Sequence, residues 1–194
     1  MLSKEKALEL MREVGSLWEG HFLLTSGKHS ARYLQCAKIF QNTKYAELFC
    51  SDLADQFIDD KIDLVIGPAL GAIQMAYEVS RHLDVPNFFA ERVDGVMTLR
   101  RGFTIEKGQR VLVVEDVVTT GGSVKEVMKI VRDAGGVVAG VGAIADRTGG
   151  KIDFGVPFKS VLSIEIEAFE ADECPLCKAG MPIVKPGSKK LPTK

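Results

Sequence analysis

Runs of consecutive apolar residues alternate along this chain with segments in which apolar residues recur every three or four positions. The predicted strands are the largely apolar segments 63–66, 86–90, 111–114, 137–145 and 158–164. Such runs are typical of strands buried on both faces of a parallel sheet. The helical segments begin after Ser3, Asn42, Ala72 and Ser123. The alternation predicts an α/β fold, with a central parallel sheet flanked by helices.

The stretch from Val111 to Ser123 joins a predicted strand to a predicted helix through a short loop. Four apolar residues come first, and two acids, Glu115 and Asp116, follow where the strand is expected to end. Two valines, two threonines, two glycines and a serine complete the stretch. The helical pattern after Ser123 continues to a pair of glycines at 135 and 136, which predicts the end of the helix there.

This loop has the composition of a phosphate-binding site. In open α/β folds, ligands bind at the carboxyl edge of the sheet, and a helix N-terminus directs N–H groups at an anion. The neighbouring carboxylates repel phosphate, but they accept hydrogen bonds from neutral hydroxyls or hold a metal ion. A phosphate loop beside a hydroxyl-binding acid pair indicates a sugar phosphate. An ordinary turn after a core strand explains residues 111–114 but not the two acids.

Two other nucleotide-binding loops are disfavoured by the sequence. The pattern Gly-x-x-x-x-Gly-Lys-Ser/Thr of P-loop enzymes is absent, and no Gly-x-Gly-x-x-Gly follows a predicted strand. Three other segments join the predicted site. Gly67-Pro-Ala-Leu-Gly-Ala72 forms a second strand–loop–helix unit, and Arg147 follows a strand end. Residues 91–102 form a long connection that suggests a lid or, alternatively, a hairpin with solvated arginines.

The stretch Val-Val-Glu-Asp-Val-Val-Thr-Thr-Gly resembles the phosphoribosyl-pyrophosphate signature of the type I phosphoribosyltransferases. Within them, the chain resembles the orotate phosphoribosyltransferases over most of its length. The supporting segments are Phe22-Leu-Leu-Thr-Ser-Gly-Lys-His-Ser30, Ile66-Gly-Pro-Ala-Leu-Gly-Ala72 and Ala145-Asp-Arg-Thr148. The implied reaction converts orotate and phosphoribosyl pyrophosphate into orotidine monophosphate and pyrophosphate, a step of pyrimidine biosynthesis.

The resemblance also implies residue roles. Glu115 and Asp116 would hold the ribose hydroxyls of the donor, and Arg147 would contact the orotate carboxylate. The 5-phosphate would be anchored by Val117, Val118, Thr119, Thr120, Gly121, Gly122 and Ser123. Ala69, Leu70 and Gly71 would form the pyrophosphate loop, and Lys28 in an N-terminal hood would meet a carboxylate or a pyrophosphate.

Residues 91–102 correspond by resemblance to a flexible catalytic loop that reaches the partner subunit's site in a homodimer. That loop is usually rich in lysine, whereas this chain offers the cations Arg92, Arg100 and Arg101. Magnesium is the implied cofactor, and it would arrive with the donor pyrophosphate rather than on metal ligands of the protein.

Two alternative functions remain open. Another phosphoribosyltransferase, specific for a purine or for uracil, would share the phosphate loop and differ in the base pocket. A non-catalytic regulator of the same fold would use phosphoribosyl pyrophosphate as an effector. Such a regulator usually needs a nucleic-acid-binding element, and a formal net charge of −1 with no added helix-turn-helix argues against one.

Length and composition predict one domain over residues 1–194, with the hood over about 1–40 and a tail over about 165–194. The Pro-, Gly- and Lys-rich end, from about Pro186, predicts disorder. The charged N-terminus does not resemble a signal peptide, and no apolar run has the length of a membrane span. These features favour a cytoplasmic enzyme that binds neither nucleic acid nor membrane.

The cysteines leave one question open. Cys174-Pro-Leu-Cys177 has the spacing of half a zinc site, and the sequence holds no second Cys-x-x-Cys. The three histidines, His21, His29 and His82, are scattered and share no metal-binding spacing. Four reduced cysteines, or a metal shared across a dimer, are both consistent with this pattern.

Overall fold

The structure is a computed structural model that describes residues 1–24 and 26–186. The helices in this range are α1 (Lys4–Glu13), α2 (Thr43–Asp55), α3 (Gly71–Leu83), α4 (Gly122–Asp133) and α5 (Pro175–Lys178), with a 3-10 helix over Cys36–Gln41. The strands are β1 (Leu17–Leu23), β2 (His29–Leu34), β3 (Leu64–Pro68), β4 (Asn87–Val93), β5 (Val96–Leu99), β6 (Arg110–Val118), β7 (Val137–Asp146) and β8 (Phe158–Ser163).

The main sheet has six strands in the order β5-β4-β3-β6-β7-β8. Every neighbouring pair is parallel except β4 and β5, which are antiparallel. The predicted α/β fold with a central, mostly parallel sheet and flanking helices is therefore confirmed. The second sheet consists of β1 and β2 alone, which form the hood.

Strand β6 lies inside the sheet, and its two faces serve two hydrophobic cores. Val111 and Val113 pack with the apolar face of α4, whereas Leu112 and Val114 pack with residues of α1, α2 and α3. All four valine and leucine side chains are 0% exposed. This two-sided burial explains why the segment is a continuous apolar run rather than an alternating one.

Two sequence predictions about the sheet need correction. The acids Glu115 and Asp116 do not follow the central strand, because β6 continues through Val118, which pairs with Asp146 of β7. The interpretation of residues 91–102 as a long open connection is wrong and the alternative, a hairpin, is confirmed, because β4 and β5 pair across these residues. Asp94 and Gly95 form its two-residue turn, both with positive φ, an arrangement that favours the tight turns of β-hairpins.

The tail pairs with the hood. His29 forms an antiparallel bridge with Phe169, and Phe22 forms a parallel bridge with Val184. The disorder predicted from about Pro186 concerns residues 187–194, which lie outside the described residues. Over the described ranges, none of the helices combines the length and apolar character that a membrane span requires.

Candidate active site

Glu115 and Asp116 occupy the second half of β6, and their side chains interact with each other. Glu115 lines a cavity of about 280 Å³ together with the loop that begins α4. Asp116 lines a larger cavity of about 530 Å³ on the side of the hood. Val117, Thr119 and Thr120 border both cavities. The acid pair therefore stands between two adjoining spaces.

The electrostatics of this pair are unfavourable to ionisation. Burial, reinforced by the neighbouring Asp116, raises the pKa of Glu115 to about 8. Burial also raises the pKa of Asp116, although the N–H of Val117, which donates to its Oδ1 at 2.9 Å, opposes the shift. Groups that favour the charged form, such as sugar hydroxyls or a cation, would relieve this cost.

The loop that begins α4 has the geometry of an anion site. Gly121 has φ 70°, and no side chain caps the first turn of the helix. A Cβ on Gly121 would lie 2.5 Å from Cδ1 of Ile152 and 2.7 Å from Cε1 of Phe154, so a larger residue cannot occupy this position without displacing both. The first N–H groups of α4 thus remain available for a phosphate.

The loop 69–71 lies beside Asp116. The Leu70 side chain is 85% exposed, and Gly71 is the first residue of α3. A Cβ on Gly71 would lie 3.0 Å from each carboxylate oxygen of Asp116. The absence of a side chain at Gly71 lets the Asp116 carboxylate approach the start of α3, where helix N–H groups favour negative charge.

Arg147 lies on the opposite side of the larger cavity, directly after β7. Its neighbours there include Tyr33 and Gln35 of the hood region and Ala168 of the tail. Burial lowers the pKa of Arg147, and its Nε atom is buried with no hydrogen-bond partner within the described chain. A buried N–H group without an acceptor is costly, so the cavity fits a ligand that carries an anionic group.

Asp146 fixes the turn that carries Arg147. Its carboxylate accepts hydrogen bonds from the N–H groups of Thr148 and Gly150 and from the hydroxyls of Thr148 and Ser163, at 2.7 to 3.0 Å. Burial alone would raise the pKa of Asp146, but these hydrogen bonds outweigh it and lower the pKa. The sequence indicated Arg147 and did not indicate this support.

The other predicted cations have partners of their own. Arg92 reaches the smaller cavity and forms an ion pair with Glu126 of α4 at 2.5 Å. Arg101 pairs with Glu91 at 3.3 Å and lies over the Phe89 ring, and Arg100 lies 3.8 Å from Glu91. No hydrogen bond or ion pair connects Arg100 or Arg101 with the acid pair within residues 1–24 and 26–186.

Lys28 pairs with the tail instead of the cavities. Its Nζ lies 2.7 Å from Oε1 of Glu170, and this partner raises the pKa of Lys28. A substrate contact by Lys28 remains a prediction, as do the individual binding roles of the other residues.

The histidines share no metal-binding spacing in the sequence, and the structure nevertheless brings two of the three together. His21 and His29 lie in the hood with their ring nitrogens 3.0 Å apart, and Cys174 and Cys177 of the tail adjoin them. His29 is one of the four members of this cluster. No sequence pattern indicated this grouping, because it depends on the pairing of segments more than 140 residues apart. His82 pairs with Asp55 on the surface, as expected for a structural role.

Comparisons with known proteins agree with this geometry. The family described as phosphoribosyl transferase domain matches residues 37–176. The chain is 61% identical over 190 residues to the orotate phosphoribosyltransferase of Caldanaerobacter subterraneus subsp. tengcongensis, covering 98% of this chain and 100% of the relative.

Solved structures extend the comparison. An orotate phosphoribosyltransferase of Mycobacterium tuberculosis in complex with inorganic phosphate has a TM-score of 0.65 at 28% identity, with 83% of this chain and 95% of that chain covered. An adenine phosphoribosyltransferase of Rhodothermus marinus has a TM-score of 0.67 at 19% identity, covering 82% of this chain and 99% of that one. The fold alone therefore does not determine the base.

A first prediction concerns the acid pair. We expect Glu115→Gln and Asp116→Asn each to lower turnover roughly 100-fold, which corresponds to an activation barrier raised by about 3 kcal/mol. The reason is that each substitution removes a charge beside the reacting sugar. Wild-type kcat/KM for the donor should rise with pH through about 8, where Glu115 ionises, and Glu115→Gln should flatten this rise. Initial rates against pH measure both effects.

Thermal unfolding provides the control for these variants. The raised pKa means that folded Glu115 binds its proton more tightly than the unfolded chain does. Its contribution to the free energy of unfolding is therefore lost as pH rises from the ordinary value of 4.5 to about 8. Glu115→Gln should melt higher than the wild type above pH 8. Near-normal turnover in both variants would contradict a role for the pair.

A second prediction concerns Gly71. Gly71→Ala should lower turnover roughly tenfold, ~1.4 kcal/mol, because the added methyl group displaces the Asp116 carboxylate. The melting temperature should not fall with it, since alanine favours helix formation over glycine. The double variant with Asp116→Asn should be no slower than Asp116→Asn alone, because both changes act on one carboxylate. Additive losses would exclude this coupling.

Proposed function

The chain belongs to the phosphoribosyl transferase family, and we infer that it is an orotate phosphoribosyltransferase. It transfers the 5-phosphoribosyl group of phosphoribosyl pyrophosphate to orotate, giving orotidine monophosphate and pyrophosphate. The observation that carries this conclusion is Arg147, a half-buried cation whose buried Nε has no partner among the described residues, on the cavity that Asp116 also lines. The orotate carboxylate supplies the missing partner. Near full-length identity to a relative named for this activity supports the same conclusion.

The alternatives fit this cavity less well. A purine or uracil has no carboxylate and would leave the guanidinium of Arg147 unpaired. A regulator that only senses the donor does not require a second cavity with an unpaired cation beside the acid pair. We therefore propose orotate, rather than another base, as the acceptor.

The proposed reaction breaks the bond between C1 of ribose and the diphosphate oxygen and forms a bond from C1 to N1 of orotate. Because orotate attacks as an anion, no protein nucleophile is needed. The N–H groups of Gly122 and Ser123, with the loop before them, hold the 5-phosphate in the smaller cavity. Glu115 and Asp116 accept hydrogen bonds from the ribose hydroxyls, beside the positive charge that develops at C1.

The residues present fit magnesium as a cofactor that the donor carries. Glu115 and Asp116 offer carboxylate oxygens, which suit a hard cation, and burial raises the pKa of both, so a nearby cation would offset the cost of their charge. Bound magnesium supplies neutralisation of the leaving diphosphate. We keep the expectation that the ion arrives with the diphosphate and has no dedicated protein site there.

We also propose that residues 1–194 form one domain, that the enzyme is a homodimer with shared sites and that it is cytoplasmic. The resemblance and the composition support these points. The hairpin of β4 and β5 changes which residues are expected to reach the partner subunit. Arg92 lines the smaller cavity of its own chain. Arg100 and Arg101 remain candidates for contact with the partner's site.

A third prediction tests the acceptor. Arg147→Ala should raise KM for orotate roughly 30-fold, about 2 kcal/mol, because a charge-assisted bidentate contact is lost. KM for phosphoribosyl pyrophosphate should change little, and any slow use of uracil should be unaffected. Arg132→Ala, which removes an exposed arginine of α4, is the control. Equal losses for both substrates would place Arg147 outside the orotate pocket.

A fourth prediction tests the shared site. We expect a variant with Arg100→Ala and Arg101→Ala to be inactive alone and to complement inactive Asp116→Asn, because a mixed dimer contains one site with intact residues from both chains. Each mixed dimer has one intact site of two, which limits recovery in purified mixed dimers to about half of the wild-type activity per site. Co-expressed chains with different tags would be purified for mixed dimers and assayed. Mixed dimers without activity above the parents would show that these arginines have no role in the partner's site.

A further inference from the structure

Four side chains that the proposed reaction does not use converge between the hood and the tail. His21 of β1 and His29 of β2 meet Cys174 and Cys177, which flank the first residues of α5. Their nearest ring-nitrogen and sulfur atoms all lie within 4.8 Å of one another. His21, His29 and Cys174 are 3%, 8% and 0% exposed, whereas Cys177 is exposed. The cluster is thus buried and has one edge open to solvent.

The orientation of His21 is set by a group outside the cluster. Its Nδ1 lies 2.8 Å from the carbonyl oxygen of Met181, and a carbonyl can only accept a hydrogen bond. Nδ1 therefore carries the proton of the neutral ring, and Nε2 presents its lone pair to the cluster. Metal-binding histidines are commonly held by such a hydrogen bond from the second ring nitrogen.

Four of the six distances among these ligand atoms lie within about 0.4 Å of those in a tetrahedral zinc site. Ordinary zinc bond lengths place two nitrogens about 3.3 Å apart, a nitrogen and a sulfur about 3.6 Å apart and two sulfurs about 3.8 Å apart. Here Nε2 of His21 lies 3.0 Å from Nδ1 of His29, 3.6 Å from Sγ of Cys174 and 3.7 Å from Sγ of Cys177. Sγ of Cys177 lies 3.2 Å from Nδ1 of His29.

We propose that His21, His29, Cys174 and Cys177 bind one structural zinc ion that fastens the tail to the hood. Two thiolates and two imidazoles form a closed ligand set with no position left for a substrate, which is typical of structural rather than catalytic zinc. Hard cations such as magnesium prefer oxygen ligands to thiolate and imidazole. The site is separate from the acid pair and from the phosphate loop.

The backbone around the cluster shows what the ion would stabilise. His29 and Phe169 exchange two backbone hydrogen bonds of 2.8 Å, and Val184 donates to the carbonyl of His21 at 2.8 Å. The tail continues through Ala168, which lines the larger cavity with Arg147. If the proposed function holds, the zinc ion keeps in place one wall of the orotate pocket.

The test begins with metal content, which does not depend on activity. The full chain, produced without a histidine tag and passed through gel filtration, should contain about one zinc per chain by mass spectrometry of the elements. Cys177→Ser should lose most of this zinc, and His29→Asn likewise. His82→Asn, a histidine outside the cluster, and Cys50→Ala, a buried cysteine outside it, should retain the wild-type content.

A second measurement covers the case in which a variant fails to fold. Removal of the metal from the wild type with a chelator should lower the melting temperature by ~5 °C or more, and zinc should restore it. Cobalt added to the metal-free chain should give the visible absorption of a tetrahedral site with thiolate ligands. Magnesium at the same concentration should do neither.

Several results would overturn the proposal. These are a wild-type chain with no bound zinc that also fails to bind cobalt, zinc content unchanged in Cys177→Ser, and a Cys174–Cys177 disulfide in the freshly purified protein. Orotate turnover is measured separately. Zinc binding without orotate turnover would reject the proposed function alone, and turnover by a chain that never binds zinc would reject the metal site alone.

Discussion

Two carboxylates held side by side away from bulk water are the constraint around which this structure is arranged. Burial raises the pKa of both Glu115 and Asp116, so the ionised pair is costly until hydroxyl donors or a cation come close. The backbone N–H groups of Asp116 and Val117 offset part of that cost, and the start of α3 lies beside the pair at Gly71. Ionisation of the acid pair is therefore unfavourable in the free site. A donor that brings hydroxyl groups and a metal ion lowers this cost when it binds.

Much of the frame was predictable because it follows from local physical rules. A strand buried on both faces must be apolar throughout, so Val111 to Val114 identify the centre of the sheet from sequence alone. Parallel strands align their carboxyl ends, which is why the loop at Gly121, the loop at Gly71 and Arg147 could be expected at one edge. The proximity of these two loops and Arg147 could be predicted without knowledge of side-chain packing.

The remainder depended on contacts between distant segments. The length of β6 beyond Val114 is set by its pairing with β7, and the hairpin of β4 and β5 by a two-residue turn within what resembled a long loop. That Nε of Arg147 has no hydrogen-bond partner depends on which distant residues surround it in the folded chain. His21 and His29 acquire their neighbours Cys174 and Cys177 through the docking of the tail, for which the sequence contains no local signal.

The union of hood and tail has a consequence for how the chain is made. The contact between Cys174 and His21 spans 153 positions, and the bridge from Phe22 reaches Val184. Synthesis proceeds from the N-terminus, so the hood leaves the ribosome early. It cannot pair with the tail until nearly the whole chain has emerged. Because closing such a large loop is entropically costly, the sheet must assemble first and hold both ends near each other. The hood, first to be synthesised, is therefore among the last parts to be completed.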